Sequence, residues 1–158
     1  MSRGNATGAA SNIRFGSILV AVDDSEGARR AVLVAIEEAE KFSASLTILN
    51  VLEVPVSPYY PEKEVQLDLS KEKPMTEGER IVLSAAEMAE SRGVKTRLEV
   101  LRHMGHSTAE GIVEYARNNG IDLIVVGASG QTGLKAVLLE SVANDVVKAA
   151  HCSVLLAR

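Results

Sequence analysis

Glycines at 127, 130 and 133, with Ser129 and Thr132 between them, form the stretch of this chain best suited to ligand chemistry. Glycine lets main-chain amides approach a ligand closely, and the two hydroxyls add donors. The stretch feeds a helix whose N-terminus is expected near Ser141. Free amides and the helix dipole at such a terminus favour an anion, and phosphate is the obvious one. The bland alternative also holds, since glycine-rich turns after strands often only connect. The Gly-Lys-Ser/Thr ending of a P-loop is absent. A second polar turn, Asp23-Asp24-Ser25, follows the first apolar run. Asp23 can share a magnesium ion with phosphates, or it can start a turn and a helix. Asp24 suits the turn.

Other reactive residue types fall short of a site. His103 and His106 stand three apart, and no further ligand is placed by spacing, so they read as polar loop residues rather than a metal centre. His151 closes the last helix, where a positive charge suits the dipole. Ser25, Ser129 and Ser141 have no histidine that sequence order sets beside them, and the Gly-x-Ser-x-Gly elbow is missing. No catalytic residue is assigned; a weak ATPase is the most that the pattern allows. The single Cys152 reads as a small core residue.

The elements that must hold these turns are legible as an alternation. Ser17–Val22 is a buried strand, and helical spacing follows at Ala28, Ala31, Val32, Ala35, Ile36 and Ala39, capped by Ser25 or Asp24. Leu46–Val51 is a second strand. All four prolines then fall between 55 and 74, in an aperiodic stretch read as a functional or a merely connecting loop. Thr76 and Glu79 make a capping-box pattern ahead of Ile81, Val82, Ala85 and Ala89, and Gly93 suits the stop. Val94–Leu101 is a third strand. Ser107 and Glu110 open a helix that Gly120 ends. Leu123–Val126 is a fourth strand, Leu138, Leu139, Val142, Ala143, Val146, Val147 and Ala150 mark a last helix, and Val154–Ala157 is a fifth strand.

Strands apolar on both faces between amphipathic helices imply a parallel sheet covered on both sides. Right-handed crossovers make it doubly wound. Ligands then bind beyond the carboxyl ends of the strands, where the winding reverses. If the first and fourth strands are neighbours, the Asp23 turn and the Gly127 loop face each other there.

Composition narrows the partners. A chain of 158 residues fits one domain, and 46% apolar with 24% charged residues is the balance of a soluble protein. No Trp, three Tyr and two Phe leave an aliphatic core. The net charge of −4 and the few aromatics speak against nucleic-acid binding. No run of 18 apolar residues is present, so no transmembrane helix is expected. One cysteine asks for no oxidising compartment, and a cytoplasmic location is expected. Residues 1–12 read as a disordered tail and 13–158 as the domain.

The chain resembles the universal stress protein family. The resemblance rests on Ile18-Leu-Val-Ala-Val-Asp-Asp-Ser25, Asn50-Val51, Gly105 with Ile112 and Ala116, Asp122-Leu-Ile-Val-Val-Gly127, and the end from Ser141-Val142 to Val154-Leu-Leu156. The family's ATP-binding branch carries Gly, two residues, Gly, nine residues, then Gly and Ser or Thr. Gly127, Gly130 and Ser141 match that pattern, and Glu140 stands in the place of the third glycine. The resemblance implies a five-stranded parallel sheet of order 3-2-1-4-5 and an adenine-nucleotide-binding regulatory module in stress response. It implies ATP, or ADP or AMP, with magnesium or manganese. It places Asp23 near base and ribose, Ala21 and Val22 along the adenine pocket, and the Val51 backbone at the adenine edge. Val126 and Gly127 back the nucleotide, while Ser129, Gly130 and Ser141 lie toward ribose or phosphates, and Val142 belongs to the same site. Homodimerisation through Val154–Ala157 is implied as well. Glu140 has three possible dispositions: turned to solvent, holding a divalent cation that bridges to phosphate, or seated in the anion site. A carboxylate is comfortable at a helix start by ~0.3–1 kcal/mol. The alternative reading is a nucleotide-free dimeric interaction protein with a degenerate phosphate site.

Overall fold

The computed structural model describes residues 13–54, 75–104, 106–128 and 134–158; at 54, 103, 104 and 134–141 it describes the backbone only. The sequence expectations for the tail 1–12, the proline-bearing stretch 55–74 and the glycine loop 129–133 therefore lie outside the described residues. In chain order the elements are β1 (Ser17–Ala21), α1 (Glu26–Phe42), β2 (Ser45–Val54), α2 (Glu77–Glu90) and β3 (Thr96–Met104). They are followed by α3 (Thr108–Asn118), β4 (Leu123–Gly127), α4 (Leu134–Ala149) and β5 (Ser153–Ala157). The strands form one parallel sheet in the order β3-β2-β1-β4-β5, as expected.

Alternation along each strand splits the core in two. Ile18, Val20, Leu46, Ile48 and Val125 face α1 and α2, whose Ala31, Ala35, Ile36 and Val82 close that side. Leu19, Leu49, Ile124 and Val126 face α3 and α4, meeting Ile112, Val113, Ala116 and Val146. Burying an aliphatic side chain of this kind stabilises by about 1.5–3 kcal/mol, and small alanines let the helices lie close to the sheet. The aromatic share is minor: Phe15 and Phe42 meet edge-to-face with centroids 5.2 Å apart at the amino end of the sheet. At that end the Asp122 carboxylate accepts from the amides of Gly16 (2.9 Å) and Ser17 (3.2 and 3.3 Å). This fixes the start of β1 beside β4.

Helix ends follow their local chemistry. Ser25 caps α1, its Oγ accepting from the Ala28 amide at 3.1 Å. Thr76 with Glu79, and Ser107 with Glu110, form complete capping boxes. Gly93 (φ +72°) and Gly120 (φ +64°) take the left-handed positions after α2 and α3. At the end of α1 the same position is filled by Ser43 (φ 53°), which the sequence did not announce.

One boundary differs in a way that matters. The last helix was expected to open near Ser141; α4 opens at Leu134. The reason is local. Leu134-Lys-Ala-Val-Leu-Leu-Glu140 contains only good helix formers apart from one valine, and no glycine or proline interrupts the run to Ala149. The main chain at Glu140 and Ser141 is therefore helix interior, where each N–H is drawn to the carbonyl four residues back. The helix mouth near Ser141 is corrected accordingly. Among the described residues no helix is long and apolar enough to cross a membrane.

Candidate functional site

A cavity opens at the carboxyl ends of β1, β2 and β4, where the sheet's winding reverses. Of the residues expected at a site, Ala21, Val22, Asp23, Val51, Val126, Gly127 and Val142 all line it. Ser129 and Gly130 lie outside the described residues. So do the side chains of Glu140 and Ser141, whose backbone belongs to α4. Sequence reasoning missed the contributions of Gly27 and Ala28 from α1, Asn50 from β2 and Thr108 from α3. None of these carries a local signal, because each arrives through packing.

The cavity exists because the strands stop at different heights. The β1–β2 ladder ends at Ala21 and Leu49, with one more bond from the Val22 amide to the Leu49 carbonyl at 2.9 Å. β2 continues to Val54, paired only with β3. Alternate residues of a strand turn their main-chain groups to alternate neighbours. Val51, two beyond Leu49, thus turns its N–H and C=O toward the side β1 has vacated. The Asn50 carboxamide sits beside it, 4% exposed, its Nδ2 donating to the Val22 carbonyl at 2.8 Å. Asp23 leaves the sheet at this point and accepts from the Ser25 amide through Oδ1 at 2.9 Å. The turn role expected of Asp23 is thus present in its carboxylate.

Gly127 has a different immediate neighbour from the one expected. A Cβ there would lie 2.5 Å from both the carbonyl carbon and oxygen of Gly27 and 3.0 Å from the Ala28 amide. A Cβ on Gly27 would meet the Ala128 carbonyl oxygen at 3.3 Å. The pair lets the first turn of α1 press against the end of β4, which shuts one wall of the cavity. Ala128 then donates to the Ala157 carbonyl at 2.7 Å, tying the loop's first residue to β5.

The opposite rim carries its own anion. Glu53 on the β2 overhang accepts from the Thr108 hydroxyl (2.7 Å) and amide (2.8 Å) through one oxygen. These bonds, the hydroxyl first and the amide second, hold the Glu53 carboxyl below its ordinary value of 4.5, against a smaller opposing effect of burial. The N-terminus of α3 is therefore occupied by a carboxylate of the protein itself, which leaves it poorly suited to phosphate. A depressed folded value stabilises above the unfolded value of 4.5 and loses that stabilisation as pH falls through the folded value. Glu53→Ala is expected to lower the urea midpoint at pH 7, with a smaller gap to the native chain at an acidic pH below 4.5. Parallel shifts at both pH values would show that the bond to Thr108 contributes nothing through charge.

Cys152 and His106 do not line this cavity. The Cys152 thiol is half-buried and pushed up, chiefly by burial and then by the Asp122 charge, as suits a core residue. His106 pairs with Glu110 at 3.3 Å, and the His103 side chain lies outside the described residues. Among the described residues no three His, Cys, Asp or Glu side chains converge as a metal site.

The comparisons agree with this architecture. Residues 14–158 match the model of the universal stress protein family. A universal stress protein of Methanocaldococcus jannaschii is 36% identical over 145 residues, which cover 91% of this chain and 82% of that protein. A crystal structure of a family protein from Burkholderia pseudomallei superposes with a TM-score of 0.66 at 29% identity, covering 90% of this chain and 95% of that one. A universal stress protein in complex with cAMP superposes with a TM-score of 0.63 at 25% identity, covering 92% and 98%. With the sheet order, the match over nearly the whole chain and the curated relative all in accord, this chain belongs to the universal stress protein family.

Proposed function

We propose that the cavity binds an adenine nucleotide and that the protein is a nucleotide-dependent regulatory module of stress response rather than a catalyst. The observation that carries this is the β2 overhang. Val51 offers one main-chain donor and one acceptor, side by side, between apolar walls from Ala21, Val126, Ile112 and Val142. An adenine edge, with its ring-nitrogen acceptor and exocyclic amine donor, is complementary to that pair, and its faces suit the walls. Asp23 on the rim accepts from a ribose hydroxyl. With Glu53 occupying the α3 terminus, phosphates run toward the stretch after Gly127, where Ser129, Gly130, Glu140 and Ser141 are the residues the family pattern assigns. A magnesium or manganese ion there would be shared between Asp23 and phosphate oxygens. The likeness to the protein crystallised with cAMP supports an adenylate as ligand.

The domain is residues 13–158, acting in the cytoplasm, and its partner is a second copy along the free edge of β5. Leu156 (39% exposed) on that strand and Val147 (48% exposed) on α4 leave apolar surface there for Val154–Ala157 to pair across.

Glu140 sets how many phosphates are tolerated. A carboxylate near the phosphate path repels the triphosphate more than the monophosphate. Glu140→Gly is expected to raise ATP affinity roughly tenfold, about 1.4 kcal/mol, and AMP affinity much less, in calorimetric titrations with and without magnesium. Equal affinities before and after the substitution would remove Glu140 from the site. Failure of both proteins to bind any adenylate would favour the nucleotide-free interaction protein.

A further inference from the structure

We infer that Asn50 is a positioning residue that keeps the nucleotide-recognising main chain of Val51 out of the sheet; the inference rests on the adenylate reading above. In a regular parallel ladder the bond from the Val22 amide to the Leu49 carbonyl would be followed by one from the Val51 amide back to the Val22 carbonyl. That second bond is replaced. The Asn50 Nδ2 donates to the Val22 carbonyl at 2.8 Å, so this acceptor is satisfied by a side chain and the ladder stops at Ala21 and Leu49. Val51 keeps its N–H for whatever enters the cavity.

The carboxamide is built in rather than adventitious. Asn50 lies on the face of the sheet covered by α2, 4% exposed, in a strand otherwise aliphatic at Leu46, Ile48 and Leu49. Burying a polar group this deeply is costly unless it is hydrogen-bonded, and the bond to the Val22 carbonyl offsets that cost. Among the described residues the Asn50 Oδ1 has no hydrogen-bond partner, so the bond from Nδ2 is the one that satisfies the carboxamide. Gly78 in α2 makes the room: a Cβ at that position would stand 2.7 Å from Oδ1 and 3.0 Å from Val100 Cγ1. Gly78 does not line the cavity, and the Asn50 carboxamide is the nearest group that a side chain there would meet.

Leucine at position 50 would leave the Val22 carbonyl buried and unpaired. The cheapest repair is for the Val51 amide to take its ladder place, which zips β1 and β2 one step further and withdraws the donor from the ligand. Alanine at position 78 would push the carboxamide aside from the opposite direction and lead to the same state.

Amide hydrogen exchange at Val51, followed by NMR on the native chain, Asn50→Leu and Gly78→Ala, is the test. It is read beside the affinities for AMP and for purine riboside monophosphate, which lacks the exocyclic amine. The native Val51 amide should exchange readily without ligand and slow roughly tenfold or more in either variant. AMP affinity should fall, and the preference for AMP over the purine analogue should shrink, which simple loss of stability would not do. A native Val51 amide already as protected as that of Leu49 overturns the inference, with or without a foldable variant. So does an unchanged exchange rate and AMP preference in the variants. If the native chain binds neither nucleotide while exchange behaves as described, the adenylate reading falls and the positioning role of Asn50 stands.

Discussion

Gly127→Ala is expected to lower the stability of this domain by about 3 kcal/mol, the upper part of the range for overpacking a well-filled core. The added methyl would stand 2.5 Å from the Gly27 carbonyl carbon and oxygen, which are backbone and cannot rotate away. Either the first turn of α1 lifts off β4 or the end of β4 bends outward. Both movements open the wall of the cavity, so ligand binding should weaken together with stability. Gly27→Ala is the internal control. There the methyl meets the Ala128 carbonyl oxygen at 3.3 Å, a gap that closes with a shift of a few tenths of an ångström. Alanine also gains up to ~1 kcal/mol over glycine within a helix. Urea unfolding of the three proteins should therefore give one large loss at position 127 and a change near zero at position 27. Similar small changes at both would mean that the α1–β4 contact is looser than its geometry implies.

Ala21→Leu should abolish adenylate binding, with an affinity loss of more than ~100-fold, about 3 kcal/mol, while the protein still folds. Ala21 ends β1 on the face toward α3 and α4, packed only in part against Leu19 and its neighbours, and it lines the cavity. An isobutyl group at that point projects into the space assigned to the base. It has open volume to enter, so the core is not forced apart, and stability should change by less than about 1.5 kcal/mol. Calorimetric titration with AMP, paired with urea unfolding, separates the two effects. Retained affinity in a well-folded Ala21→Leu would move the base elsewhere. These two substitutions differ in kind: one removes a contact on which the fold depends, the other fills a space that only a ligand uses.

Much of the architecture was legible because it rests on local patterns. Runs such as Leu123–Val126, apolar on both faces, demand a parallel sheet with helices on either side, and the resemblance supplied the strand order. Thr76 with Glu79 and Ser107 with Glu110 announced two helix starts, and Gly93 and Gly120 announced two ends. Hydrogen bonding without burial was harder to read. β2 and β3 run on to Val54 and Met104 because they pair with each other past the last buried residue, and this overhang is what makes the cavity. The start of α4 was expected near Ser141 because the glycine spacing reads as a loop running up to that residue, although Leu138 and Leu139 already fit the helical pattern.

The site was legible in its walls and not in its supports. Ala21, Val22, Asp23, Val51, Val126, Gly127 and Val142 were named from the family pattern and lie together. Asn50 with Gly78 and Glu53 with Thr108 meet across 28 and 55 residues of sequence, and such pairs leave no mark on local spacing. Gly127 looked like a residue that admits a ligand, whereas its missing side chain is needed first by Gly27 of α1.

Calorimetric titration of the native chain with AMP and ATP tests the central claim most directly. A saturable heat with one site per chain, lost in Ala21→Leu, is the expected result. No heat from either nucleotide at millimolar concentration, from a protein that unfolds cooperatively, would contradict it.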